Sequence, residues 1–234
     1  MSEQNTDQWM KDRLGCFNGS AIGELMSSGR KKEELFGKTA LTYIYNIAAE
    51  RDILTAYLDD DFLWEIYQSQ VSFSNKYTQW GHEQESIAAE EYEKVTGRMC
   101  EETERILHPT IPNYAASPDR FAYDGKERIV VEIKSPTPKT YMKYRYEIKD
   151  NETLKSVEPN YFYQVQAEMH VSGCKQADIV FFCPFLKHPI HIVRITADED
   201  VQKDIEHRIK EAENIIKSIL KNETDDTKNH YEWR

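Results

Sequence analysis

The chain has 234 residues and carries 41 acidic against 30 basic side chains, which gives a net charge of −11. Hydrophobic residues make up 39% of it, which excludes a disordered chain, and the mean hydropathy of −0.74 excludes a membrane-embedded one. The length predicts a single domain over residues 1–222, followed by a polar tail over residues 223–234. The acidic total argues against a protein that coats nucleic acid, but it is compatible with a local basic groove.

The N-terminus and the cysteines bear on the compartment. The first residues are polar and acidic, so they predict no secretion signal. Cys16, Cys100, Cys174 and Cys183 form no C-x-x-C pair, so neither a zinc site nor a disulfide framework is expected. We therefore expect reduced cysteines and a cytoplasmic protein.

The first hundred residues are predicted to be mostly helical. A short helix should pass through Ile22 and Met26, and a longer one should cover residues 38–54. A third helix is expected over residues 78–95, because Gly97 follows it and glycine is a common helix stop.

The pattern changes beyond residue 100. Apolar alternation predicts a strand over residues 128–135, and residues 112–124 are its expected hairpin partner, with Asp124-Gly125 as the turn. A helix over residues 160–172, strands over 177–184 and 189–196, and a helix over 198–220 should follow. This order predicts an α/β fold: a mixed central sheet flanked by helices over about 101–222, with a helical N-terminal part over about 1–100.

One stretch brings charges together where stability does not require them. Ser117-Pro118-Asp119 precedes a strand on which alternation puts Glu132 and Lys134 on the same face, and the hairpin would bring Asp119 beside them. Desolvating such charges costs several kcal/mol per ion unless each is compensated. Two carboxylates can hold a hard cation such as Mg²⁺, whose bound water can become a nucleophile. The alternative is an edge strand with solvent-facing Glu and Lys, because E-x-K alone is very common.

Four further segments accompany this stretch in a fixed order. They are W-M-K-D-R-L-G at residues 9–15 with Gly19-Ser20, W-G-H-E-Q-E at 80–85, Y-F-Y-Q-V-Q at 161–166, and the final E-W-R at 232–234. Together with S-P-D and E-x-K, this set resembles the lambda-type exonuclease family, the YqaJ-like viral recombinase group of PD-(D/E)XK nucleases. The resemblance covers nearly the whole chain.

The resemblance implies both a fold and an activity. The fold would have a core like that of PD-(D/E)XK restriction endonucleases. The activity would be that of a Mg²⁺-dependent 5′→3′ exonuclease, which degrades one strand of double-stranded DNA from its ends for phage-type recombination by single-strand annealing. Mn²⁺ is expected to substitute for Mg²⁺. A homotrimer, a single-strand annealing protein as partner, and the cytoplasm of a bacterial host with a phage or prophage origin are further implications.

Matching positions imply a catalytic centre. Asp119 and Glu132 would be metal ligands, helped by the carbonyl of Ile133, and Lys134 would be the catalytic lysine. Glu85 matches a helix glutamate near the metal, although it could be one more solvated acid. In the same way Gln164, on the helix after the strand, matches the glutamine that braces the water or the phosphate, although it could simply cross-link backbone.

Three other positions match the pocket that holds a 5′-phosphate in the family. They are Arg13, Ser20 and Ser117. A guanidinium and two hydroxyls suit a phosphate chemically. Each has an alternative role, since Arg13 could form a surface ion pair and Ser117 could be a turn residue.

Two features depart from the family pattern. The family has an apolar wedge before the helix tryptophan, and here Tyr77 is the candidate. The interval after the E-x-K lysine is long, net basic and tyrosine-rich, and it contains Lys139, Lys143 and Arg145. We expect a loop that grips the DNA backbone; the alternative is a solvated loop with tyrosines packed beneath it.

Two other functions stay open. One is a structure-specific or restriction-type endonuclease of the same superfamily, which would not need a pocket for a terminal phosphate. The other is a catalytically inactive nuclease fold that serves as an interaction module, against which the intact Asp119, Glu132 and Lys134 argue.

Overall fold

Two sheets joined by helices make up the fold. The computed structural model describes residues 6–31, 33–71 and 76–230, with side chains described except at 76–79, 82 and 222–230. The helices in these ranges are α1 Asp7–Arg13, α2 Ile22–Leu25, α3 Lys38–Arg51, α4 Thr55–Asp59, α5 Asp61–Val71, α6 Lys76–Thr96, α7 Pro138–Glu147, α8 Asn151–Val157, α9 Pro159–Ser172 and α10 Glu199–His230. The strands are β1 Phe17–Asn18, β2 Cys100–Glu102, β3 Ile106–Leu107, β4 Tyr114–Ala116, β5 Arg120–Asp124, β6 Glu127–Lys134, β7 Gln176–Phe182 and β8 Ile190–Thr196.

The larger sheet has five strands in the order β2-β5-β6-β7-β8. β6 and β7 are parallel and the other neighbours antiparallel, so the prediction of a mixed central sheet is confirmed. β5 and β6 form the predicted hairpin, and its turn has Gly125 at φ 66°, which glycine adopts without strain. The predicted hairpin partner was too long, because β4 lies in a smaller sheet of order β1-β4-β3.

Strand β6 lies at the centre of the larger sheet and is covered on both faces. Ile129, Val131 and Ile133 pack in the cluster that includes residues of α6, whereas Val130 packs in the cluster that includes residues of α9. Fully burying one such side chain stabilises a fold by about 1.5–3 kcal/mol. Glu132 shares the face of Val130, so it lies in an otherwise apolar layer and is only 2% exposed.

The segment predicted as a basic loop is helical. Pro138 occupies the first turn of α7, where a proline costs no hydrogen bond. Tyr141, Tyr144 and Ile148 are buried at helical spacing, so α7 packs one face on the core and leaves its basic side chains outside. The loop prediction is therefore wrong. The packed tyrosines of the alternative are confirmed for Tyr141 and Tyr144, whereas Tyr146 is exposed.

The last helix is longer than predicted. α10 continues to His230 instead of ending near residue 220, and residues 221–230 contain neither glycine nor proline to stop it. The separate tail over 223–234 stays a prediction, and its last four residues lie outside the described part of the chain. None of the described helices is both long and apolar enough to cross a membrane.

Candidate active site

The hairpin brings the three predicted charged residues together. Asp119 directly precedes β5, and its Oδ2 accepts a hydrogen bond from the backbone N–H of Ile133 at 2.7 Å. On β6, the Nζ of Lys134 lies 2.6 Å from Oε1 of Glu132. The open end of the β5–β6 hairpin thus carries two carboxylates and an ammonium. Glu132 and Lys134 share one face of β6, as the alternation predicts.

Helix α9 adds two buried polar side chains to this cluster. Nε2 of Gln164 donates to Oε1 of Glu132 at 2.5 Å, and Oε1 of Gln164 accepts from Nζ of Lys134 at 3.1 Å. The same Nε2 lies 2.9 Å from Oε1 of Glu168, one helical turn further on and 1% exposed. Glu168 was not predicted; its i+4 spacing from Gln164 on a buried helix was the available signal.

The electrostatics of the cluster shift Asp119 and Glu168 towards their neutral forms and Lys134 towards its charged form. Burial raises the pKa of Asp119 well above its usual range, and the neighbouring Glu132 raises it further. The pKa of Glu168 is raised well above its usual range by the same two causes. For Lys134 burial lowers the pKa, but the carboxylates of Glu132 and Asp119 outweigh burial, so the net shift is upward. Three carboxyls therefore surround one ammonium.

The residues present fit a hard divalent cation. Oε2 of Glu132 and Oε2 of Glu168 are buried and have no hydrogen-bond partner within the described ranges. An unsatisfied buried carboxylate oxygen is costly, and a cation that prefers oxygen ligands removes that cost. Glu132 and Glu168 carry these oxygens, and Asp119 lies within electrostatic reach of both, so these three residues could hold such a cation.

Glu85 lies at the side of this cluster. Its Oε1 accepts from Nη1 of Arg120 at 2.6 Å, in an ion pair that is largely shielded from solvent. Arg120 also donates to the backbone carbonyl of Asp119 at 2.6 Å, and the charge of Glu85 contributes to the raised pKa of Asp119. Glu85 is therefore not a freely solvated acid, and Arg120 is a neighbour that the sequence did not indicate.

The three residues of the predicted phosphate pocket converge near the smaller sheet. Nη2 of Arg13 donates to Oγ of Ser20 at 2.9 Å. β1 runs parallel to β4, with Asn18 paired with Ala115. The short 3-10 helix Gly19–Ala21, which carries Ser20, directly follows β1, and Ser117 directly follows β4. The predicted grouping is thus compatible with the fold, although no hydrogen bond of the described structure joins Ser117 to the other two.

Gly19 permits this close approach. A Cβ added at Gly19 would lie 3.1 Å from Cβ of Ala116, which is tighter than most real contacts. A larger residue would push the turn that carries Ser20 away from β4.

Comparison with known protein families shows to which family the chain belongs. The model of the YqaJ-like viral recombinase domain matches residues 8–175, more than half of the chain. The chain belongs to the YqaJ-like viral recombinase family. A comparison with curated proteins finds no match.

Solved structures show the fold of this family member. An alkaline exonuclease, LHK-Exo, from Laribacter hongkongensis is 22% identical, with a TM-score of 0.71 and coverage of 94% of this chain and 99% of that one. The same values hold for its complex with dAMP. A phage-related exonuclease from Haemophilus somnus 129PT is 16% identical, with a TM-score of 0.66 and coverage of 91% and 99%. The predicted PD-(D/E)XK-like fold class is therefore confirmed, and family membership marks the chain as a nuclease of the viral-recombinase kind.

The residues predicted to bind DNA lie on helices. Lys139 and Lys143 are exposed on α7, while Arg145 is half-buried, and Lys143 lies 3.9 Å from Glu147. α7 begins four residues after Lys134, so its basic face follows the charged end of β6 directly. Tyr77 belongs to α6, and its side chain lies outside the described residues.

A second cluster of possible metal ligands lies beneath α10. His108, His170 and Glu206 have ligand atoms within 4.8 Å of one another, and Nε2 of His170 lies 3.0 Å from the Glu206 carboxylate. However, Nδ1 of His108 accepts backbone N–H bonds from Thr110 and Ile111, so the proton of the neutral ring is on Nε2. A protonated nitrogen cannot ligate a metal, and the cluster fits a packed hydrogen-bonded group instead.

Proposed function

We propose that the protein is a Mg²⁺-dependent 5′→3′ exonuclease that degrades one strand of double-stranded DNA from its ends, for phage-type recombination by single-strand annealing. The observation that carries the proposal is the enclosed group of Asp119, Glu132 and Lys134, in which one buried carboxylate oxygen lacks a hydrogen-bond partner among the described residues. Membership of a viral recombinase family supports the recombination context and a divalent metal.

The chain would hold the cation through Asp119 and Glu132, with the carbonyl of Ile133 as a further ligand. When bound, the cation supplies a water of lowered pKa for attack on phosphorus. Without the cation, the neighbouring carboxylates of Glu132 and Asp119 raise the pKa of Lys134, which favours its charged form. In that form it places a fixed positive charge where negative charge grows on the phosphate.

Gln164 keeps this lysine in place. Its carbonyl oxygen accepts from Lys134 while its amide donates to Glu132, so the charged pair cannot turn away from the site. A group held by two hydrogen bonds needs little reorganisation during the reaction, which is how such electrostatic stabilisation becomes effective.

The pocket of Arg13, Ser20 and Ser117 supports action from a 5′ end. A guanidinium and hydroxyls suit a terminal phosphate, whereas an endonuclease has no use for such a pocket. The dAMP bound by the structural neighbour LHK-Exo carries a 5′-phosphate, the group that this pocket would receive.

The wider setting is also proposed. A homotrimeric ring could gather Lys139, Lys143 and Arg145 of each subunit around one duplex while the acidic remainder faces outwards, which would reconcile DNA binding with a net charge of −11. Tyr77 would act as the wedge at the terminal base pair. A single-strand annealing protein would receive the exposed strand in the bacterial cytoplasm.

Incubation of linear and covalently closed circular duplexes with Mg²⁺ tests the proposal. We expect loss of linear DNA only, with Mn²⁺ substituting for Mg²⁺ and EDTA stopping the reaction. Cleavage of both substrates would favour the endonuclease alternative. Binding without cleavage of either would favour an inactive interaction module.

A further inference from the structure

Arg105 is a half-buried cation, and two of its side-chain nitrogens lack hydrogen-bond partners among the described residues. Its Nε and Nη2 are buried and have no partner within the described part of the chain. A guanidinium normally uses its rigid fork of N–H donors, and leaving donors unmet in the interior costs free energy. The position therefore points to an acceptor that the described residues do not provide.

The register of the smaller sheet brings Arg105 to the proposed phosphate pocket. β3 is antiparallel to β4, with Ile106 paired with Ala116, so the next position outwards sets Arg105 opposite Ser117. Oγ of Ser117 is also buried and without a partner among the described residues. Arg105 and Ser117 are thus neighbours, and buried polar atoms of both lack hydrogen-bond partners among the described residues.

The third residue of this region is Arg13, at the end of α1. Its guanidinium lies 4.3 Å from the ring centroid of Trp9 and donates to Ser20, so its orientation is fixed. Burial lowers the pKa of Arg13, and the positive charge of Arg105 lowers it further, so the two guanidiniums lie within electrostatic reach of each other.

Glu50 offsets part of the charge of Arg13. The carboxylate within electrostatic reach of Arg13 belongs to Glu50, and it already accepts the backbone N–H of Gly15 at 2.7 Å. Nε1 of Trp9 is a further buried donor without a partner in the described ranges. The N–H donors of Arg105, Arg13 and Trp9 therefore suit an acceptor with several oxygens.

We infer that Arg105 is the second guanidinium of this pocket, and that the pair selects a terminal phosphate monoester over an internal phosphodiester. A monoester carries about −1.5 to −2 charges at neutral pH and offers three terminal oxygens. A diester carries one charge and has two such oxygens. Two guanidiniums match the monoester in charge and in geometry. The inference rests on the proposed function, because it refines the site that holds the 5′ end.

Binding without turnover separates this inference from the proposed activity. Fluorescence anisotropy in EDTA would compare blunt hairpin duplexes that end in a 5′-phosphate or a 5′-hydroxyl. We expect the native protein to prefer the phosphate. Arg105→Ala should lose about tenfold or more of its affinity for the phosphorylated end, with affinity for the hydroxyl end within about twofold of native.

Two further variants complete the test. Arg105→Lys keeps the charge but not the fork, so it should retain only part of the preference, and it decides the matter if Arg105→Ala does not fold. Lys126→Ala removes an exposed positive charge from the β5–β6 turn and should leave the preference unchanged.

The inference would be overturned by a native protein without end preference, by an unchanged ratio in both Arg105 variants, or by equal weakening on both ends. If the native protein binds selectively but degrades no linear duplex in Mg²⁺, the proposed activity fails while the pocket stands.

Discussion

Gln164 donates to Glu132 across 2.5 Å, and this contact ties helix α9 to the charged end of strand β6. The same amide group also accepts from Lys134, so one neutral side chain positions both members of a buried ion pair. A site of this kind depends on the packing of α9 as much as on the residues that carry charge.

Removal of this brace gives the first prediction. Gln164→Ala should lower kcat for linear duplex by about 10²-fold, because Lys134 loses one of the contacts that orient it. The matched control is Gln166→Ala on the same helix. The buried side-chain amide of Gln166 forms hydrogen bonds with backbone groups of Thr196 and Asp198 and not with the charged cluster. Both variants should melt at lower temperature. An equal effect of the two on kcat at a temperature where both are folded would contradict the brace.

The carboxylate on β6 gives the second prediction. Glu132→Ala should abolish hydrolysis but leave duplex binding in EDTA nearly intact, since it removes a metal ligand and no phosphate contact. Lys134→Ala should lose about 10²-fold or more in rate. Glu127→Ala, at the exposed start of the same strand, is the control and should remain active. Near-normal turnover by Glu132→Ala in Mg²⁺ would refute the assignment.

The third prediction concerns pH. Because the folded-state pKa values of Asp119 and Glu168 are raised, the native state binds more protons than the unfolded state above about pH 4, the ordinary carboxyl value. Stability in EDTA should therefore fall as the pH rises from there towards the raised folded values.

Glu168→Gln checks this sign. It removes one of the titrating groups, so its melting temperature relative to native should rise from pH 5 to pH 8. Added Mg²⁺ should reduce the difference, since the cation favours the ionised acids. A difference that is constant across this range would contradict the raised pKa of Glu168.

The cluster shows what the sequence could and could not reveal. Asp119, Glu132 and Lys134 were accessible because they depend on local rules, namely the alternation of one strand and the turn of one hairpin. Glu168 and Arg105 were missed because their environment is tertiary. An acid on a helix and a basic residue before a short strand reveal nothing until the packing of α9 and β4 against them is known.

The basic segment shows a different limit. Its lysines, arginine and tyrosines suggested a DNA-gripping loop, but Tyr141, Tyr144 and Ile148 were spaced for a helix face and Pro138 stood at a helix start. The prediction relied on the basic and aromatic composition of the segment, although its helical periodicity was also present in the sequence.

The fourth prediction concerns the basic face of α7. Replacing Lys143 and Arg145 together by glutamate should shorten processive digestion before it slows a single cleavage at an end, because contacts with the DNA backbone are lost far from the reacting bond. With fewer phosphate contacts, the dependence of DNA binding on salt should become shallower. Light scattering coupled to size exclusion should give about three times the protomer mass of 27.5 kDa. A mass of one protomer, with and without DNA, would rule out the ring.

The fifth prediction concerns the phosphate pocket. Arg13→Ala should slow digestion of 5′-phosphorylated ends by about 10- to 100-fold and of 5′-hydroxyl ends much less, because a charged hydrogen bond to the terminal phosphate is lost. Lys11→Ala removes a positive charge from the same helix and should slow neither substrate selectively. Equal slowing on both substrates would return Arg13 to a structural role.

The proposed exonuclease uses a metal ion and digests one strand of a duplex in the 5′→3′ direction. The most direct measurement follows a linear, 5′-phosphorylated duplex in Mg²⁺, with label at the 5′ end of a strand in one sample and at its 3′ end in another. We expect the 5′ label to leave at once as a mononucleotide, and the 3′ label to be released only after the strand has been digested. Early release of the 3′ label, or internal fragments from both samples, would contradict it.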